Sequence, residues 1–359
     1  MIQALLVALA AVFLAYLGGR EKNRSSLLLL AFALLTLFLS LGYYWGNDVS
    51  MYEEWYDNFE KKGIAWWDFS QYDSFSQKEY GFIWINLLLK PFGFWGMRAV
   101  LFCIENYIVY YFIKTHVKKK WHWLAVFIYV FNPNFWVLSS SMMRQWLAMC
   151  VVLLGAMSLE KGRVLRYVLM SLVAFSIHFS AIVTLAFLPV FFLQKKNTMQ
   201  SLYILIACLI GFWLLSPFFI DYVALFLKAE DFYQLGYMDT HGGFGITSIA
   251  FMLLYTFILY CSIKTKQQHN LPCWIVMLAA LVMPLLAYGE LISRIGFYFS
   301  IFTLAAFPLF MDNPKVDKAS KTAVISFVIL YDIYSFFLFF HSPTWIKAFG
   351  SYHTIIGNL

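Results

Sequence analysis

The fold class is decided by residues 2–44, which read IQALLVALAAVFLAYLGGREKNRSSLLLLAFALLTLFLSLGYY. Two uncharged runs, residues 2–19 and 25–44, are separated by a short loop that holds three basic residues. A helix needs about 20 apolar residues to cross a bilayer, so each run is long enough to span. No basic segment precedes the first run, and we therefore interpret it as a retained helix and not as a signal peptide.

The composition of the whole chain agrees with this interpretation. The 359 residues are 62% hydrophobic and 13% charged, and the mean hydropathy is +0.71. Soluble domains carry about 45–50% apolar and ~25% charged residues. The difference excludes a water-soluble enzyme, a nucleic-acid-binding protein and a disordered chain. All five cysteines lie in apolar runs without a CxxC or Cys/His cluster, so we expect no disulfide and no metal site.

The sequence predicts an all-α, polytopic membrane protein of about twelve transmembrane helices that form a single domain over residues 1–359. The segment 80–93 is apolar but short and contains Lys90, Pro91 and Gly93. It is therefore expected to be an interfacial or re-entrant helix and not a crossing. The predicted spans are 2–19, 25–44, 95–113, 121–138, 142–158, 164–178, 179–193, 200–218, 246–263, 272–289, 294–311 and 322–340.

The distribution of charge assigns the two sides of the membrane. Lys and Arg in short loops mark the cytoplasmic side, and six such loops hold seventeen of the 26 basic residues. The opposite side holds thirteen of the nineteen acidic residues. This assignment alternates through twelve helices and places both termini outside. It also leaves two external loops, at about 45–79 and 219–245.

The external loop 45–79 combines acidic and aromatic residues in a way typical of sugar-binding surfaces. Carboxylates accept hydrogen bonds from sugar hydroxyls, and aromatic rings stack on the apolar face of a sugar. The alternative is a solvated loop with an aromatic belt at the membrane interface. Asp48, which follows the second predicted helix directly, is the residue of this loop that most favours a functional role.

Two arginines break the positive-inside pattern, because each opens an apolar helix at the external side. Arg144 begins the span 142–158, and Arg294 begins the span 294–311. A guanidinium matches phosphate oxygens bidentately, and the N-terminus of a helix adds N–H donors. Together they predict a pyrophosphate site. The alternatives are an interhelical salt bridge for Arg144 and pairing of Arg294 with Glu290 at spacing i, i+4.

His178 lies at the expected external tip between the predicted spans 164–178 and 179–193. An imidazole titrates near neutral pH and can act as an acid or a base. A single histidine in an apolar stretch can also be a packing residue. The two spans have 15 residues each, so this hairpin must either thin the membrane or be partly broken.

The order of these residues resembles the EpsG family of Wzy-type exopolysaccharide and O-antigen polymerases. The resemblance covers residues 40–310, and its weight lies in order and spacing, since no single motif is highly specific. The matching elements are Asp48 and Tyr52, Glu79-Tyr80-Gly81-Phe82, Arg144-Gln145, Phe175-x-x-His178-Phe179-Ser180-Ala181 and Arg294-x-x-x-Tyr298-Phe299.

The resemblance implies an enzyme of the inner membrane whose active site faces the periplasm, with a GT-C-like architecture and no metal or other cofactor. Its donor and acceptor would be oligosaccharides on undecaprenyl pyrophosphate. Arg144 and Arg294 would hold the leaving pyrophosphate, and a base would deprotonate the acceptor hydroxyl so that direct displacement inverts the anomeric centre. The candidate bases are His178, Asp48 and Glu79.

The resemblance also implies contacts to sugars and to other partners. The candidate sugar-binding residues are Tyr52, Gln145, Glu290 and Tyr298. Besides the lipid-linked substrates, we expect membrane lipid and a chain-length regulator protein as partners, and no nucleic acid.

Three other functions share some of these features. A flippase for lipid-linked oligosaccharides also needs a cationic cavity, but the two halves of this sequence show no repeat. A membrane O-acyltransferase also uses an intramembrane histidine, but its expected early Arg/His motif is missing from residues 1–40. An O-antigen ligase would need a larger external domain than the loop 45–79.

Overall fold

The computed structural model of the chain describes residues 1–20, 26–61, 79–226, 246–267, 269–282 and 294–357. These residues are almost entirely helical, because a helix satisfies its backbone polar groups within the segment when no water is present. They form two compact units. The first comprises Met1–Met157, Tyr167–Ile182 and Ser326–Leu359, and the second comprises Ser158–Arg166 and Val183–Ile325.

The described residues form helices joined by short connections, together with two short strands, β1 and β2, that pair with each other. The earlier elements are α1 (Ile2–Arg20), α2 (Ser26–Leu41), β1 (Gly42–Tyr43), α3 (Val49–Lys61), α4 (Tyr80–Leu89), α5 (Gly93–His116), α6 (His122–Phe131), α7 (Trp136–Ser139) and α8 (Met143–Glu160). The later elements are α9 (Val164–Ile177), α10 (Phe187–Lys196), α11 (Met199–Phe226), α12 (Ile246–Lys264), α13 (Leu271–Val282), α14 (Phe297–Ser300), α15 (Thr303–Asp312), α16 (Lys318–His341), α17 (Pro343–Phe349) and β2 (His353–Thr354). Short 3₁₀ helices cover Lys90–Phe92, Lys119–Trp121, Phe179–Ala186, Arg294–Gly296 and Ile355–Gly357.

The prediction of an all-helical, polytopic membrane protein is confirmed, apart from the two-residue strands, whereas the count of twelve spans stays a prediction. Within the described residues, seven helical stretches are long and apolar enough to cross a membrane. They are Ile2–Arg20, Tyr80–His116, Met143–Glu160, Phe179–Lys196, Ile246–Lys264, Arg294–Asp312 and Lys318–His341. Four shorter apolar helices accompany them, namely Ser26–Leu41, Val164–Ile177, Met199–Leu215 and Leu271–Ala280.

Two predicted spans are interrupted in the structure, and a third lies partly outside the described residues. The span 121–138 was wrong as a continuous helix, because Pro133 lacks an N–H and forces Asn132 into an extended conformation with ψ 108°. The span 294–311 divides into a 3₁₀ turn followed by α14 and α15. Of the span 272–289, residues 283–289 lie outside the described part of the chain.

The predicted span 179–193 begins as a 3₁₀ helix over Phe179–Ala186 and continues as α10. A 3₁₀ helix rises about 2.0 Å per residue, against 1.5 Å in an α-helix. The stretch Phe179–Lys196 therefore reaches roughly 30 Å, about the thickness of the hydrocarbon core. The local change of helix type lengthens this segment, which agrees with the expectation that the hairpin is partly broken.

One end of the first unit gathers segments from both ends of the sequence. The amino group of Met1 donates to the carbonyl of Gly350 over 3.3 Å, and β1 pairs antiparallel with β2. The turn after β1 reaches the start of α8, because the N–H of Asn47 donates to Ser141 Oγ over 2.7 Å. We call this the β1 end of the unit.

The basic residues between α5 and α6 lie at the opposite end. A Cβ added to Gly19, in the last turn of α1, would approach the carbonyl oxygen of Lys119 to 2.5 Å. Since α1 starts at the β1 end, Lys119 lies at the far end of the unit. Helix α5 runs the same way, from Trp95, which stacks on Tyr43 at a centroid distance of 5.2 Å, to His116.

Helix α4 begins and ends at the β1 end. Its start follows Glu79, which pairs with Arg144 in the first turn of α8. Just past the end of α4, the carbonyl of Lys90 accepts a hydrogen bond of 2.7 Å from the hydroxyl of Tyr56 in α3. The Tyr56 ring lies 5.9 Å from the ring of Phe94 at the start of α5. A helix of ten residues is about 15 Å long and cannot cross. This geometry agrees with the prediction that residues 80–93 do not form a separate crossing.

The arrangement predicts that Ser351 and Lys118 lie on opposite sides of the membrane. Ser351 is exposed at the β1 end of the first unit, and Lys118 is exposed at the far end. A cysteine at Ser351 should react with an impermeant maleimide in intact cells, and a cysteine at Lys118 only after the cells are opened. The unmodified protein is the control for its five native cysteines. Equal labelling of both positions in intact cells would contradict this topology.

Candidate active site

The turn after β1 is fixed on three sides at the β1 end. Trp45 is 2% exposed, and its indole N–H donates to the carbonyl of Phe349 over 3.3 Å. Gly46 has a φ of +140°, which only glycine adopts readily, and a Cβ there would meet the carbonyl of Ser140 at 3.0 Å. The backbone N–H of Asp48 donates to Ser141 Oγ over 3.2 Å. These contacts hold Asp48 at the junction of α3 and α8.

Glu79 is the buried centre of the candidate site, with 3% of the residue exposed. One carboxylate oxygen, Oε2, accepts a charge-assisted hydrogen bond from Arg144 Nη1. The other, Oε1, lies 2.5 Å from His178 Nδ1 and accepts the backbone N–H of Phe179 over 3.3 Å. A buried carboxylate is stable only when its oxygens are paired in this way.

The charge of Glu79 is fixed by these neighbours. Burial alone raises the pKa of this carboxyl group, but its interactions with His178, Arg144 and the backbone N–H of Phe179 outweigh burial and lower the pKa to about 2. Glu79 is therefore ionised throughout the physiological pH range. A carboxylate of such low pKa is a poor base, so among the predicted bases the geometry favours His178 as the proton acceptor.

The local structure explains why these three residues meet. Glu79 occupies the N-cap position of α4, where the helix dipole favours a negative charge, and His178 directly follows the last residue of α9, where it favours a positive one. The two helix ends approach closely at Gly81. A Cβ on Gly81 would lie 2.4 Å from Ser176 Oγ and 2.9 Å from the carbonyl oxygen of Ser176.

Arg144 is held by α3 as well as by Glu79. Its Nε donates to the hydroxyl of Tyr52 over 3.4 Å, and its guanidinium carbon lies 5.0 Å from the ring centroid of Trp55. The hydroxyl of Tyr52 stays protonated, since burial raises its pKa and the charge of Arg144 offsets this only in part. The Arg144 side chain is 19% exposed, and within the described residues its Nη2 has no hydrogen-bond partner.

The imidazole of His178 is oriented by the same carboxylate. Among the residues that the structure describes, only Nδ1 of the ring has a hydrogen-bond partner, and 17% of the side chain is exposed. A carboxylate on Nδ1 fixes the ring orientation and leaves Nε2 to exchange a proton with a substrate. The cluster thus offers a guanidinium for an anion beside an imidazole for a proton.

The structure therefore brings together Glu79, Arg144, His178 and Tyr52 of the predicted site residues. The interhelical salt bridge considered as an alternative for Arg144 is present, but its carboxylate is shared with His178 and its guanidinium remains partly exposed. Gln145 is 5% exposed in the same turn of α8.

The remaining predicted site residues belong to the second unit. Arg294 opens a 3₁₀ turn, and Tyr298 is fully buried in α14. Glu290 lies outside the described residues, so its pairing with Arg294 stays a prediction. The roles of Arg294 and Tyr298 stay predictions as well.

Helix α3 was not foreseen within the predicted external loop 45–79, and neither was the contact of Trp55, one of the aromatic residues of that loop, with Arg144. The signal was present, because Val49, Tyr52 and Tyr56 follow helical spacing and are all buried. The contact of Gly81 with Ser176 has no such sequence signal, because it depends on how two distant helices approach.

We predict that Gly81→Ala destabilises the first unit by about 1–3 kcal/mol, the usual cost of overpacking. The new methyl group would force α4 away from the end of α9 and loosen the contact of Glu79 with His178. The matched control is Gly211→Ala, where an added Cβ meets nothing within 4 Å. The measurement is the midpoint of thermal unfolding in detergent, and equal midpoints for both variants would contradict the close approach.

One of the comparisons with known proteins identifies a family. The sequence model of the EpsG family matches residues 26–353, which is most of the chain and includes every residue of the cluster. No curated protein and no solved structure matches. The chain belongs to the EpsG family, a family of Wzy-like polysaccharide polymerases.

Proposed function

We propose that this protein polymerises oligosaccharide repeat units linked to undecaprenyl pyrophosphate, by glycosyl transfer at the periplasmic face of the inner membrane. The observation that carries the proposal is the buried carboxylate of Glu79 between Arg144 and His178. The product would be O-antigen, capsule or exopolysaccharide. The donor is the growing chain, and the acceptor is the non-reducing end of a new repeat unit.

The reaction assigns one task to each of the two side chains that contact Glu79. An acceptor hydroxyl attacks the anomeric carbon of the donor, the bond from that carbon to the pyrophosphate oxygen breaks, and the hydroxyl proton passes to His178 Nε2. Arg144 stabilises the charge that develops on the leaving pyrophosphate, using donors not engaged by Glu79 and Tyr52. Attack from the face opposite the leaving group inverts the anomeric centre.

Glu79 acts in this proposal as a positioning residue. Its pKa of about 2 makes it a weak base, but its fixed negative charge orients the imidazole and stabilises the imidazolium that forms. Asp48 remains a second candidate base, because the turn that holds it is bound to Ser141 near the start of α8. Arg294 is proposed as a further ligand of the pyrophosphate.

Purified protein with a lipid-linked oligosaccharide as its only substrate should produce a ladder of longer lipid-linked products. Arg144→Ala should lower the rate about 10²–10³-fold, as the loss of one preorganised charge-stabilising donor does. The matched control is Arg163→Ala, an exposed arginine in the loop between α8 and α9. Transbilayer movement of the lipid without a ladder would indicate a flippase, and a full ladder from Arg144→Ala would remove Arg144 from the mechanism.

His178→Ala and His178→Gln distinguish a base from a packing residue. Glutamine can still hydrogen-bond to Glu79 but cannot take a proton, so both variants should lose about 10²–10⁴-fold in rate while staying in the membrane. The measurement is the rate of ladder formation at equal protein level. Wild-type rates in the glutamine variant would show that the histidine is structural.

A further inference from the structure

Tyr44 lies outside the cluster and has no part in the proposed reaction. It follows β1 with a φ of +44°, which is unusual for a bulky residue. This backbone keeps 41% of the residue exposed, although its neighbour Trp45 is buried. Strained backbone positions of this kind occur where a fold presents a side chain to a ligand.

The ring of Tyr44 is braced by two other rings. It meets Tyr43 and Trp95 edge-on, at centroid distances of 4.6 Å and 5.3 Å. Tyr43 in turn stacks on Trp95, and the guanidinium carbon of the fully buried Arg98 lies 5.2 Å from the Trp95 ring. Arg98 is anchored by donation to the carbonyl of Gly42 over 2.9 Å. Of the three rings, Tyr44 is the most exposed.

Helix α3 presents one carboxylate to the same ring and a second carboxylate one helical turn further on. The hydroxyl of Tyr44 donates to Glu53 Oε2, and Asp57 follows one turn later with an exposed side chain. The hydrogen bond to Glu53, together with burial, raises the pKa of Tyr44 to about 12, so the hydroxyl stays a donor at physiological pH. The phenol thereby fixes the position of the Glu53 carboxylate.

Helix α3 connects this surface to the candidate active site. Tyr52 and Trp55 contact Arg144, whereas Glu53 contacts Tyr44 and Asp57 lies one turn further along the same side of the helix. The surface and the guanidinium therefore lie against different sides of α3, and a helix is about 10–12 Å across with its side chains. A ligand that touches both must be longer than a single sugar ring, as an oligosaccharide repeat unit is.

We propose that Tyr44, Glu53 and Asp57 form a subsite for a pyranose ring of the oligosaccharide, outside the sugar that reacts. This inference rests on the proposed function, because the substrate it names is the same lipid-linked chain. The apolar face of the ring stacks on Tyr44, and its hydroxyls donate to the two carboxylates. The subsite holds the chain while the reacting end lies at Arg144 and His178.

The charge of the surface argues against an anionic lipid headgroup as the occupant. Aromatic residues at a membrane interface anchor a helix through lipid contacts, but the carboxylates of Glu53 and Asp57 repel the anionic headgroups and the pyrophosphate. Hydroxyl-rich neutral sugars suit this combination of ring and carboxylate.

The test uses the free repeat-unit oligosaccharide, released from its lipid by mild acid, as the probe. Its affinity for the purified full chain in nanodiscs is measured by calorimetry, which needs no turnover. We expect Tyr44→Ala to weaken the Kd about tenfold, which corresponds to about 1.4 kcal/mol, and Tyr44→Phe to weaken it less because the ring remains. Asp57→Asn should also weaken binding, and its exposed position poses no threat to folding.

Tyr107→Ala is the matched control, since Tyr107 is 58% exposed on α5 and has no place in the subsite. An unchanged Kd in both Tyr44→Ala and Asp57→Asn, or no binding by the wild type, would overturn the subsite. Failure of the proposed function gives a different result, in which the wild type binds the oligosaccharide but makes no ladder from the lipid-linked form.

Discussion

The structure of the first unit depends on one buried carboxylate that is shared by a guanidinium and an imidazole. Glu79 would be strongly unfavourable in its position without Arg144 and His178, because an unpaired buried charge costs several kcal/mol. Three helix ends must therefore meet for any one of them to be stable there. The start of α4, the start of α8 and the end of α9 are fixed by this requirement, and Gly81 permits the approach.

The shared carboxylate also links the two halves of the proposed chemistry. Arg144, which would bind the leaving phosphate, and His178, which would accept a proton, both contact the fixed negative charge of Glu79. A change in the charge of either group therefore alters the electrostatic environment of the other group through Glu79. Such coupling suits a displacement in which bond breaking and proton transfer accompany each other.

Much of the fold could be predicted from the sequence, because the information is local. Apolar runs gave the membrane segments, and Pro133 carried the signal for the interruption after α6, although we expected a continuous span. Arg144 was visible as a charge that the topology did not explain, and His178 as a polar residue between short apolar runs. The motif around Glu79 came from the family resemblance.

The contacts within the site were not predictable, because they join residues far apart in the chain. Glu79, Arg144 and His178 carry no sign in the sequence that one carboxylate contacts both the guanidinium and the imidazole. Nothing in the sequence distinguishes Tyr44 and Trp95 from other aromatic residues. Their contact depends on the left-handed backbone of Tyr44 after β1. Helix α3 could have been recognised from the spacing of Val49, Tyr52 and Tyr56, but its acidic residues suggested a loop.

The pairing of β1 with β2 has a consequence for biogenesis. Trp45 finds its hydrogen-bond partner Phe349 304 positions later in the chain. During synthesis, the corner that comprises the turn after β1, with Tyr44 and Asp48, therefore cannot form all its contacts until nearly the whole chain has been made. Partly made chains lack the contacts that fix this corner, so the corner takes its final form only after the last helices have been made.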